Sequence, residues 1–273
     1  ARRRGIPILL EGVGVGPFRR EFSRRVARLI FRMADFVRVR SRSSLSSPLL
    51  TGLRPVLAPD PAFDYLETRR MADRTTERER SSMEEVLGRE SDLLRIGLNL
   101  RPLWWIYSAD PRADCRKTEQ DFLASLAEGM KKFHLLRGGS VRYVFFPMNA
   151  ATYGQSDLKA AFKLERALGG AVDFHVWEIE PGVDALLSLI RRLDAVVSER
   201  MHGSVFALSQ NRPVIGIDYT IGGAGKVRDL FEDVSRGEWV LPIRNFSPDS
   251  FCNLLSGVLE ARGLPCKTPS NSR

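Results

Sequence analysis

The segment Ser198-Glu-Arg-Met-His-Gly203 brings a guanidinium, an imidazole and a glycine together after an apolar run. Arg200 offers a planar fork of donors for a carboxylate or phosphate, and His202 offers a proton near neutral pH. Gly203 would let the beginning of a helix approach an anion closely. The preceding run, DAVVS at 194–198, is typical of a buried strand, and open α/β sheets bind ligands at the carboxyl ends of their strands. The segment therefore predicts a site for anion binding and proton transfer, with a purely structural histidine as the alternative.

A second arginine, Arg101, follows the strand-like run RIGLNL at 95–100 and is expected to reach the same crevice. His134 lies at helical spacing among apolar residues and His175 lies within a strand-like run, so we expect both to be structural.

Two glycine-rich segments resemble phosphate-binding loops but depart from their patterns. GVGVGP at 12–17 has a proline where a dinucleotide site needs a third glycine, so a tight turn without ligand and a binding loop both stay open. The segment from Gly222 to Lys226 is not a Walker A loop, because Thr220 and Val227 occupy the positions of the first glycine and of the Ser or Thr. A loop that presents Lys226 to an anion remains open.

Short β-branched or aromatic runs alternate with helix-length segments along the chain. The predicted strands are 6–10, 36–39, 55–58, 95–100, 141–146, 172–177, 194–198 and 213–217. The predicted helices are 18–34, 117–137, 157–168, 182–192, 203–210, 226–232 and 248–261. This alternation predicts a doubly wound α/β fold with parallel sheets in two Rossmann-like halves.

A polar, charged segment separates the two groups of strands and marks the best domain boundary. We predict a partial N-terminal α/β domain at 1–64, a charged linker or solvated helix at 65–93, a C-terminal α/β domain at 94–262 and a flexible tail at 263–273. The N-terminal half has only three predicted strands, so we expect it to be incomplete.

The formal charge of +9 comes from residues 1–42, which hold twelve arginines and three acids, whereas the later charges cancel. This concentration argues against nucleic acid as a partner. Segment 18–34 combines an apolar stripe with an arginine face, which favours a helix that packs its apolar side on the core. The alternative is a peripheral contact of this basic helix with anionic lipid or a polyanionic glycan.

The three cysteines, at 115, 252 and 266, have no metal-ligand spacing, and no apolar run reaches the ~18 residues of a membrane span. We therefore expect a reduced, cytoplasmic protein without a metal site. It would lie at the inner face of the membrane if the basic helix binds lipid.

In a series of sequence motifs that includes SERMHG at 198–203, the chain resembles the polysaccharide pyruvyl transferase family. The resemblance rests on a series of ordered blocks from Gly12 to about Phe231, of which SERMHG is the most specific. The other blocks are GVGVGPF at 12–18, RMADFVRVRSRSS at 32–44, APDPAF at 58–63, IGLNLRP at 96–102, FFPM with Asp157 downstream, and the strands and helix around SERMHG at 194–219.

The resemblance implies a fold similar to GT-B glycosyltransferases, with phosphoenolpyruvate as donor substrate and no cofactor. Pyruvate would be transferred to two hydroxyls of a glycan or a lipid-linked oligosaccharide and form a cyclic ketal. Arginines suit the carboxylate and phosphate of such a donor, and His202 would be either the acid for the methylene carbon or the base for the hydroxyl. The expected catalytic residues are His202 and Arg200. The expected donor-binding residues are Arg101, Arg200, Gly203, Ser204 and Lys226, and those on the acceptor side or at the interface are Gly14, Gly16 and Arg40.

Three departures from the family pattern qualify this expectation. Ser41 follows Arg40 where the family commonly has an aspartate, and a glycine-rich insertion separates Tyr219 from Lys226. The family also has further β/α units before the glycine-rich segment. Two alternatives stay open. The first is a GT-B nucleotide-sugar glycosyltransferase, and the second is a non-catalytic module that binds glycan or membrane.

Overall fold

The computed structural model describes residues 5–16, 18, 20–68, 74–89, 92–104, 107–150, 156–222 and 225–261. The predicted tail at 263–273 lies outside the described residues. The strands are β1 (Leu9–Val13), β2 (Phe36–Val39), β3 (Val56–Leu57), β4 (Leu94–Asn99), β5 (Val141–Phe145), β6 (Asp173–Val176), β7 (Ala195–Ser198), β8 (Val214–Asp218) and β9 (Val240–Pro242). The α-helices are α1 (Glu21–Met33), α2 (Arg42–Leu45), α3 (Pro61–Thr68), α4 (Glu77–Leu87), α5 (Cys115–Leu136), α6 (Leu158–Leu168), α7 (Val183–Arg191), α8 (Met201–Ser209), α9 (Lys226–Asp233) and α10 (Pro248–Glu260).

Two parallel sheets confirm the predicted doubly wound α/β class. The first sheet has the order β1-β2-β3, and the second has the order β6-β5-β4-β7-β8-β9. In the second sheet the chain builds outward from β4 in one direction and then returns to β4 to build in the other. The strand order therefore reverses between β4 and β7, where open sheets of this kind form a ligand crevice at their carboxyl edge.

The core of the second sheet explains why its strand pattern is easy to predict. Strand β7 is buried along its whole length, because helices cover both faces of the sheet. Helices α5 and α10 begin at capping residues, Asp114 and Ser247, whose side chains accept hydrogen bonds from the first-turn backbone N–H groups.

Strand β1 differs from its predicted bounds, because it begins at residue 9 rather than residue 6 and continues to Val13. A bulge between Leu10 and Val13 lets it continue. Gly12 lies in this bulge at φ +62°, and a Cβ there would lie 2.5 Å from the Pro61 ring. The short edge strand β9 was not predicted, since it has only three residues and ends in proline.

The segment expected to be a charged linker contains a helix that packs on the second core. Thr76 and Glu79 form a capping box at the start of α4. Met83, Val86 and Leu87 are buried at helical spacing in the same core as the second sheet. Three apolar residues on one face suffice for this packing, although the segment as a whole is polar. The domain boundaries themselves stay a prediction.

The prediction that the basic helix packs its apolar stripe on the core is wrong. In α1 only Phe31 is buried, and it packs with Val37, Val39 and Leu50 in the small core of the first sheet. The large apolar side chains of the stripe are exposed instead: Phe22, Val26, Leu29, Ile30 and Met33. Among the described residues, no helix is long and apolar enough to cross a membrane.

Candidate functional site

The carboxyl ends of β4 and β7 lie side by side, as the sequence predicts. Asn99 pairs in register with Ser198. The Ser198 hydroxyl donates to the backbone carbonyl of Arg200 at 2.8 Å, and the Asn99 amide donates to the Phe146 carbonyl at 2.9 Å. The register of β4 and β7 places Arg101 and the 200–203 segment at one crevice.

Gly203 provides the close packing of α8 on these strand ends. A Cβ at this position would lie 2.8 Å from the Asn99 Oδ1 atom and closer still to the Ser198 hydroxyl, so no larger residue fits without a shift of the helix. Ser204 follows in the first turn; it is fully buried, and its hydroxyl has no hydrogen-bond partner among the described residues.

We therefore expect Gly203→Ala to lower the free energy of unfolding by about 1–3 kcal/mol, the usual cost of overpacking a buried contact. Gly257→Ala is the matched control, because it also lies within a helix but nothing lies within 4 Å of its added Cβ. That control should be neutral or more stable by up to about 1 kcal/mol, since alanine favours helix. Urea unfolding measures both, and equal stability of the two variants would contradict the packing argument.

Arg200 is held by a buried carboxylate. Its Nε atom lies 3.1 Å from each Asp157 oxygen, and its Nη2 atom also donates to Asp157. Asp157 is fully buried and accepts two further bonds, from the backbone N–H groups of Met148 and Asn149 at 3.0 and 3.1 Å. Asp157 therefore neutralises and orients Arg200.

Arg101 is a cation that has no ion pair with a carboxylate among the described residues. Its guanidinium carbon lies 4.2 Å from the centre of the Tyr107 ring and 4.9 Å from that of Tyr219. Its Nε atom is buried and has no hydrogen-bond partner among the described residues. Burial lowers the pKa of this group, and the nearby Arg200 charge lowers it further. Stacking on two aromatic rings thus fixes the charge of Arg101 at the crevice.

Glu199 supports the loop that carries Arg101. It is almost completely buried, and its carboxyl group accepts the Arg101 backbone N–H at 2.7 Å. Burial raises the pKa of Glu199 to about 8, so this side chain is mostly protonated at neutral pH.

We expect Glu199→Gln to remove a pH dependence of stability. The folded state favours the protonated acid, so the stabilisation is complete below the ordinary pKa of 4.5 and is lost as the pH rises through the folded value of about 8. Between pH 5.5 and pH 8 the wild type should lose on the order of 3 kcal/mol relative to the variant. Urea unfolding at both pH values measures this. The exposed Glu165→Gln is the control, and a Glu199→Gln protein with wild-type pH dependence would contradict the prediction.

Lys226 is a second cation at this crevice that has no acidic partner among the described residues. It is the first residue of α9 and lines the cleft between the two sheets. Partial burial lowers its pKa, and the positive charges of Arg40 and Arg101 contribute in the same direction. Gly225 precedes it at a position where a Cβ would collide with the Asp218 carboxylate. Residues 223 and 224 of the predicted glycine-rich loop lie outside the described residues.

His202 lies beside a carboxylate contributed by the first half. Its Nε2 atom is 3.8 Å from Asp60 Oδ1, and the other Asp60 oxygen accepts a bond from Arg40 at 2.8 Å. Burial lowers the pKa of His202, and the cations Arg40, Lys226 and Arg200 add to this effect, whereas Asp60 opposes it. The imidazole of the free protein is therefore neutral at pH 7, and Asp60 is placed to stabilise its protonated form.

A cleft of about 440 Å³ lies between the two halves next to these groups. Its lining includes the predicted acceptor-side residues Gly14, Gly16 and Arg40, together with Asp60 and Lys226. Gly14 allows close approach, since a Cβ there would lie 3.4 Å from the Arg40 guanidinium. A run of serines from 41 to 47 and the carboxylates of α9 complete the wall. The structure thus gathers cations, hydroxyls and carboxylates from both halves around His202.

The structure adds three acids to the candidate site, Asp60, Asp157 and Glu199, whose roles the sequence does not predict. Each belongs to a motif block, but an acid alone gives no sign of its partner. Asp60 supplies Arg40 with the carboxylate that Ser41 does not provide. The weak signal common to all three was an acid at the end of an apolar run or before a helix.

The two other histidines have local structural partners, as predicted. His175 Nε2 lies 2.7 Å from Asp173, and His134 Nδ1 lies 3.2 Å from the Val141 carbonyl. The described residues contain no group of three or more His, Cys, Asp or Glu side chains that would hold a metal ion. The metal-independent reaction stays a prediction.

A sequence profile of the polysaccharide pyruvyl transferase family matches residues 1–221. The chain belongs to this family. The match covers Arg40, Asp60, Arg101 and the 198–204 segment, and it ends before Lys226. No curated protein sequence matches the chain.

The fold of this family member is also similar to solved structures with low sequence identity. UDP-GlcNAc 2-epimerase from Methanocaldococcus jannaschii aligns with a TM-score of 0.58 and 13% identity, over 98% of this chain and 67% of that one. A trehalose-6-phosphate synthase aligns with a TM-score of 0.57 and 10% identity, over 96% of this chain and 62% of that one. UDP-GlcNAc 2-epimerase from Neisseria meningitidis bound to UDP-GlcNAc aligns with a TM-score of 0.55 and 12% identity, over 94% of this chain and 63% of that one.

These similarities identify a GT-B-like fold for the chain. The chain spans only about three fifths to two thirds of the length of these structures.

Proposed function

We propose that this protein transfers pyruvate from phosphoenolpyruvate to two hydroxyls of a glycan or lipid-linked oligosaccharide and forms a cyclic ketal. The observation that carries the proposal is a pair of cations, Arg101 and Lys226, that have no carboxylate partner among the described residues and lie beside a neutral His202 at the crevice between β4 and β7. Membership of the polysaccharide pyruvyl transferase family supports it.

The charges of the crevice suit a small ligand with two anionic groups. Asp157 already neutralises Arg200, and Asp60 already pairs with Arg40. Among the described residues, Arg101 and Lys226 then remain as two positive charges without acidic partners in a partly buried site. Phosphoenolpyruvate carries a carboxylate and a phosphate, and its charge would offset the burial and the repulsion that lower the pKa of both cations.

The reaction balances without a redox cofactor. A proton adds to the methylene carbon of the donor, and the resulting cation at the central carbon is attacked by one sugar hydroxyl. The C–O bond to phosphate then breaks, and a second hydroxyl attacks the same carbon. The two sugar hydroxyls release two protons. One compensates for the proton consumed at the methylene carbon, and the other leaves with inorganic phosphate.

His202 acts as the base that removes a hydroxyl proton in this scheme. Its lowered pKa keeps the imidazole neutral before the reaction, and Asp60 stabilises the imidazolium that forms. Arg40 holds Asp60 in place from the first half. The serine-lined cleft of about 440 Å³ is the proposed position of the acceptor sugar, because hydroxyls and carboxylates bind sugar hydroxyls by hydrogen bonds.

Calorimetric titration with phosphoenolpyruvate tests the donor site. We expect saturable binding to the wild type and at least a tenfold loss in Arg101→Gln and Lys226→Ala, since a charge-assisted hydrogen bond contributes roughly 1.5–3 kcal/mol. Lys117→Ala is the matched control, because Lys117 also lies in the first turn of a helix but does not line the cleft.

A UDP-sugar titrated in parallel distinguishes the alternatives. Binding of the UDP-sugar with no binding of phosphoenolpyruvate would overturn the proposal in favour of a nucleotide-sugar glycosyltransferase. Failure of a folded protein to bind either compound would favour a non-catalytic module.

A further inference from the structure

Tyr219 lies at the carboxyl edge of the second sheet, directly after β8. Its side chain is buried, and its ring packs edge to face on the ring of Tyr107, with 4.9 Å between the ring centres. The Arg101 guanidinium contacts both rings. A phenylalanine would stack on Arg101 equally well, so the packing does not account for the hydroxyl of Tyr219.

Main-chain hydrogen bonds fix this arrangement. The Ile221 N–H donates to the Tyr107 carbonyl at 3.0 Å, and the Ala109 N–H donates to the Ile221 carbonyl at 2.8 Å. These bonds join the loop after β4, which carries Arg101, to the segment after β8, which carries Tyr219. The ring of Tyr219 is therefore held beside Arg101 by the backbone as well as by stacking.

The phenol group of Tyr219 lies among the charges of the crevice. Burial raises its pKa above the ordinary value of 10, and the negative charges of Glu199 and Asp218 add to this effect, whereas Arg101 and Arg200 oppose it. The hydroxyl is therefore protonated at neutral pH. If the proton left, the two guanidinium groups would stabilise the phenolate.

We propose that Tyr219 is the acid that protonates the methylene carbon of phosphoenolpyruvate. The inference rests on the proposed function, in which His202 is the base and the acid is not yet assigned. The O–H bond of Tyr219 breaks, the electrons of the donor double bond form the new C–H bond, and positive charge develops at the central carbon. During turnover one of the two sugar hydroxyl protons returns to the phenolate through solvent, so the proton balance closes.

The position of the donor brings its methylene carbon close to this hydroxyl. In the proposed complex Arg101 binds one anionic group of phosphoenolpyruvate, and Arg101 itself lies against the Tyr219 ring. The carboxylate and the methylene carbon are attached to the same central carbon, so an anion at Arg101 leaves the double bond only a short distance from the phenol. The acid and its stabilising cations therefore converge on the reacting carbon.

The carboxyl groups near the crevice are less suited to this role. Glu199 is mostly protonated at neutral pH, but its side chain is almost completely buried and accepts the Arg101 backbone N–H. Asp60 and Asp157 each form an ion pair with an arginine. Tyr219 instead presents a neutral O–H group, which donates no hydrogen bond to another described residue.

Deuterium exchange into phosphoenolpyruvate tests the assignment without an acceptor. Protonation of the methylene carbon is reversible until a hydroxyl attacks, so the wild type in D₂O should replace both methylene hydrogens with deuterium. Proton NMR records the loss of the two vinyl signals. Tyr219→Phe should slow this exchange by about 10²–10⁴-fold, the usual contribution of a general acid. Its affinity for phosphoenolpyruvate should change only a few-fold, because the ring on Arg101 is kept.

Tyr143→Phe is the matched control. Tyr143 is also buried, but its hydroxyl donates to the Met130 carbonyl at 2.9 Å within the core. This variant should exchange the methylene hydrogens at the wild-type rate. Circular dichroism and calorimetry with phosphoenolpyruvate establish that both variants are folded and bind the donor.

The outcomes separate this inference from the proposed function. If the folded wild type does not bind phosphoenolpyruvate, both fail. If it binds phosphoenolpyruvate but exchanges no hydrogen, or if Tyr219→Phe exchanges at the wild-type rate, the donor site stands and Tyr219 is not the acid. Loss of exchange in His202→Gln or Tyr107→Phe, with exchange retained in Tyr219→Phe, would assign the acid to that residue instead.

Discussion

Asp157→Ala is expected to lower the free energy of unfolding by about 3–5 kcal/mol, the largest loss of stability that we anticipate for a single side chain at the site. Asp157 is fully buried, and its carboxylate accepts bonds from Arg200 and from the backbone N–H groups of Met148 and Asn149. The variant leaves the Arg200 charge partly buried without a partner, together with two unsatisfied N–H groups.

Urea unfolding at pH 7 measures this loss. Asp157→Asn keeps the size of the side chain and should lie between alanine and wild type. The control is Glu128→Ala, which breaks an exposed ion pair with Lys131 at 2.9 Å and should cost less than about 1 kcal/mol. If Asp157→Ala costs no more than this control, Arg200 does not depend on Asp157.

The second large effect is expected on turnover rather than on stability. His202→Gln should reduce the release of phosphate from phosphoenolpyruvate in the presence of a glycan acceptor by about 10²–10⁴-fold, the usual contribution of a general base. Binding of phosphoenolpyruvate should change only a few-fold, because Arg101 and Lys226 remain. The rate of the wild type should fall as the pH falls through the lowered pKa of His202, since protonation removes the base.

Proton NMR provides a readout that does not need the acceptor. The chain has only three histidines, so His202→Gln assigns the His202 imidazole signal. In the free protein it should titrate below the ordinary value of 6.5, and the charge of bound phosphoenolpyruvate should raise its pKa. Asp60→Asn should lower the pKa further, because it removes the opposite charge. An unperturbed His202, or one that does not respond to phosphoenolpyruvate, would contradict its role as base.

The pairings also suggest how the two halves act together. Asp60 and Arg40 come from the first half, whereas His202 and Lys226 come from the second. The proposed base, His202, and its supporting carboxylate are therefore complete only where the halves meet. A donor held by the second half would meet the acceptor in a cleft that both halves line.

Much of the fold follows from local pattern. The alternation of buried strands and helices was sufficient for the doubly wound class, because the central strands of a parallel sheet are continuously apolar. Eight of the nine described strands were predicted; the exception is the short edge strand β9, Val240–Pro242. Arg101 and His202 could be placed at one crevice without coordinates, because the carboxyl ends of parallel strands share one edge.

The tertiary structure alone decided which charges are already paired and which face of α1 is covered. The partners of Arg200 and His202 are Asp157 and Asp60, and both acids are far from them along the chain. Helical periodicity showed that α1 is amphipathic, but its orientation depends on the small core of the first sheet, which accommodates Phe31 and leaves the apolar stripe exposed. The sequence therefore determined which residue types form the candidate site and at which edge of the sheet they lie. Long-range packing determined how their charges are paired.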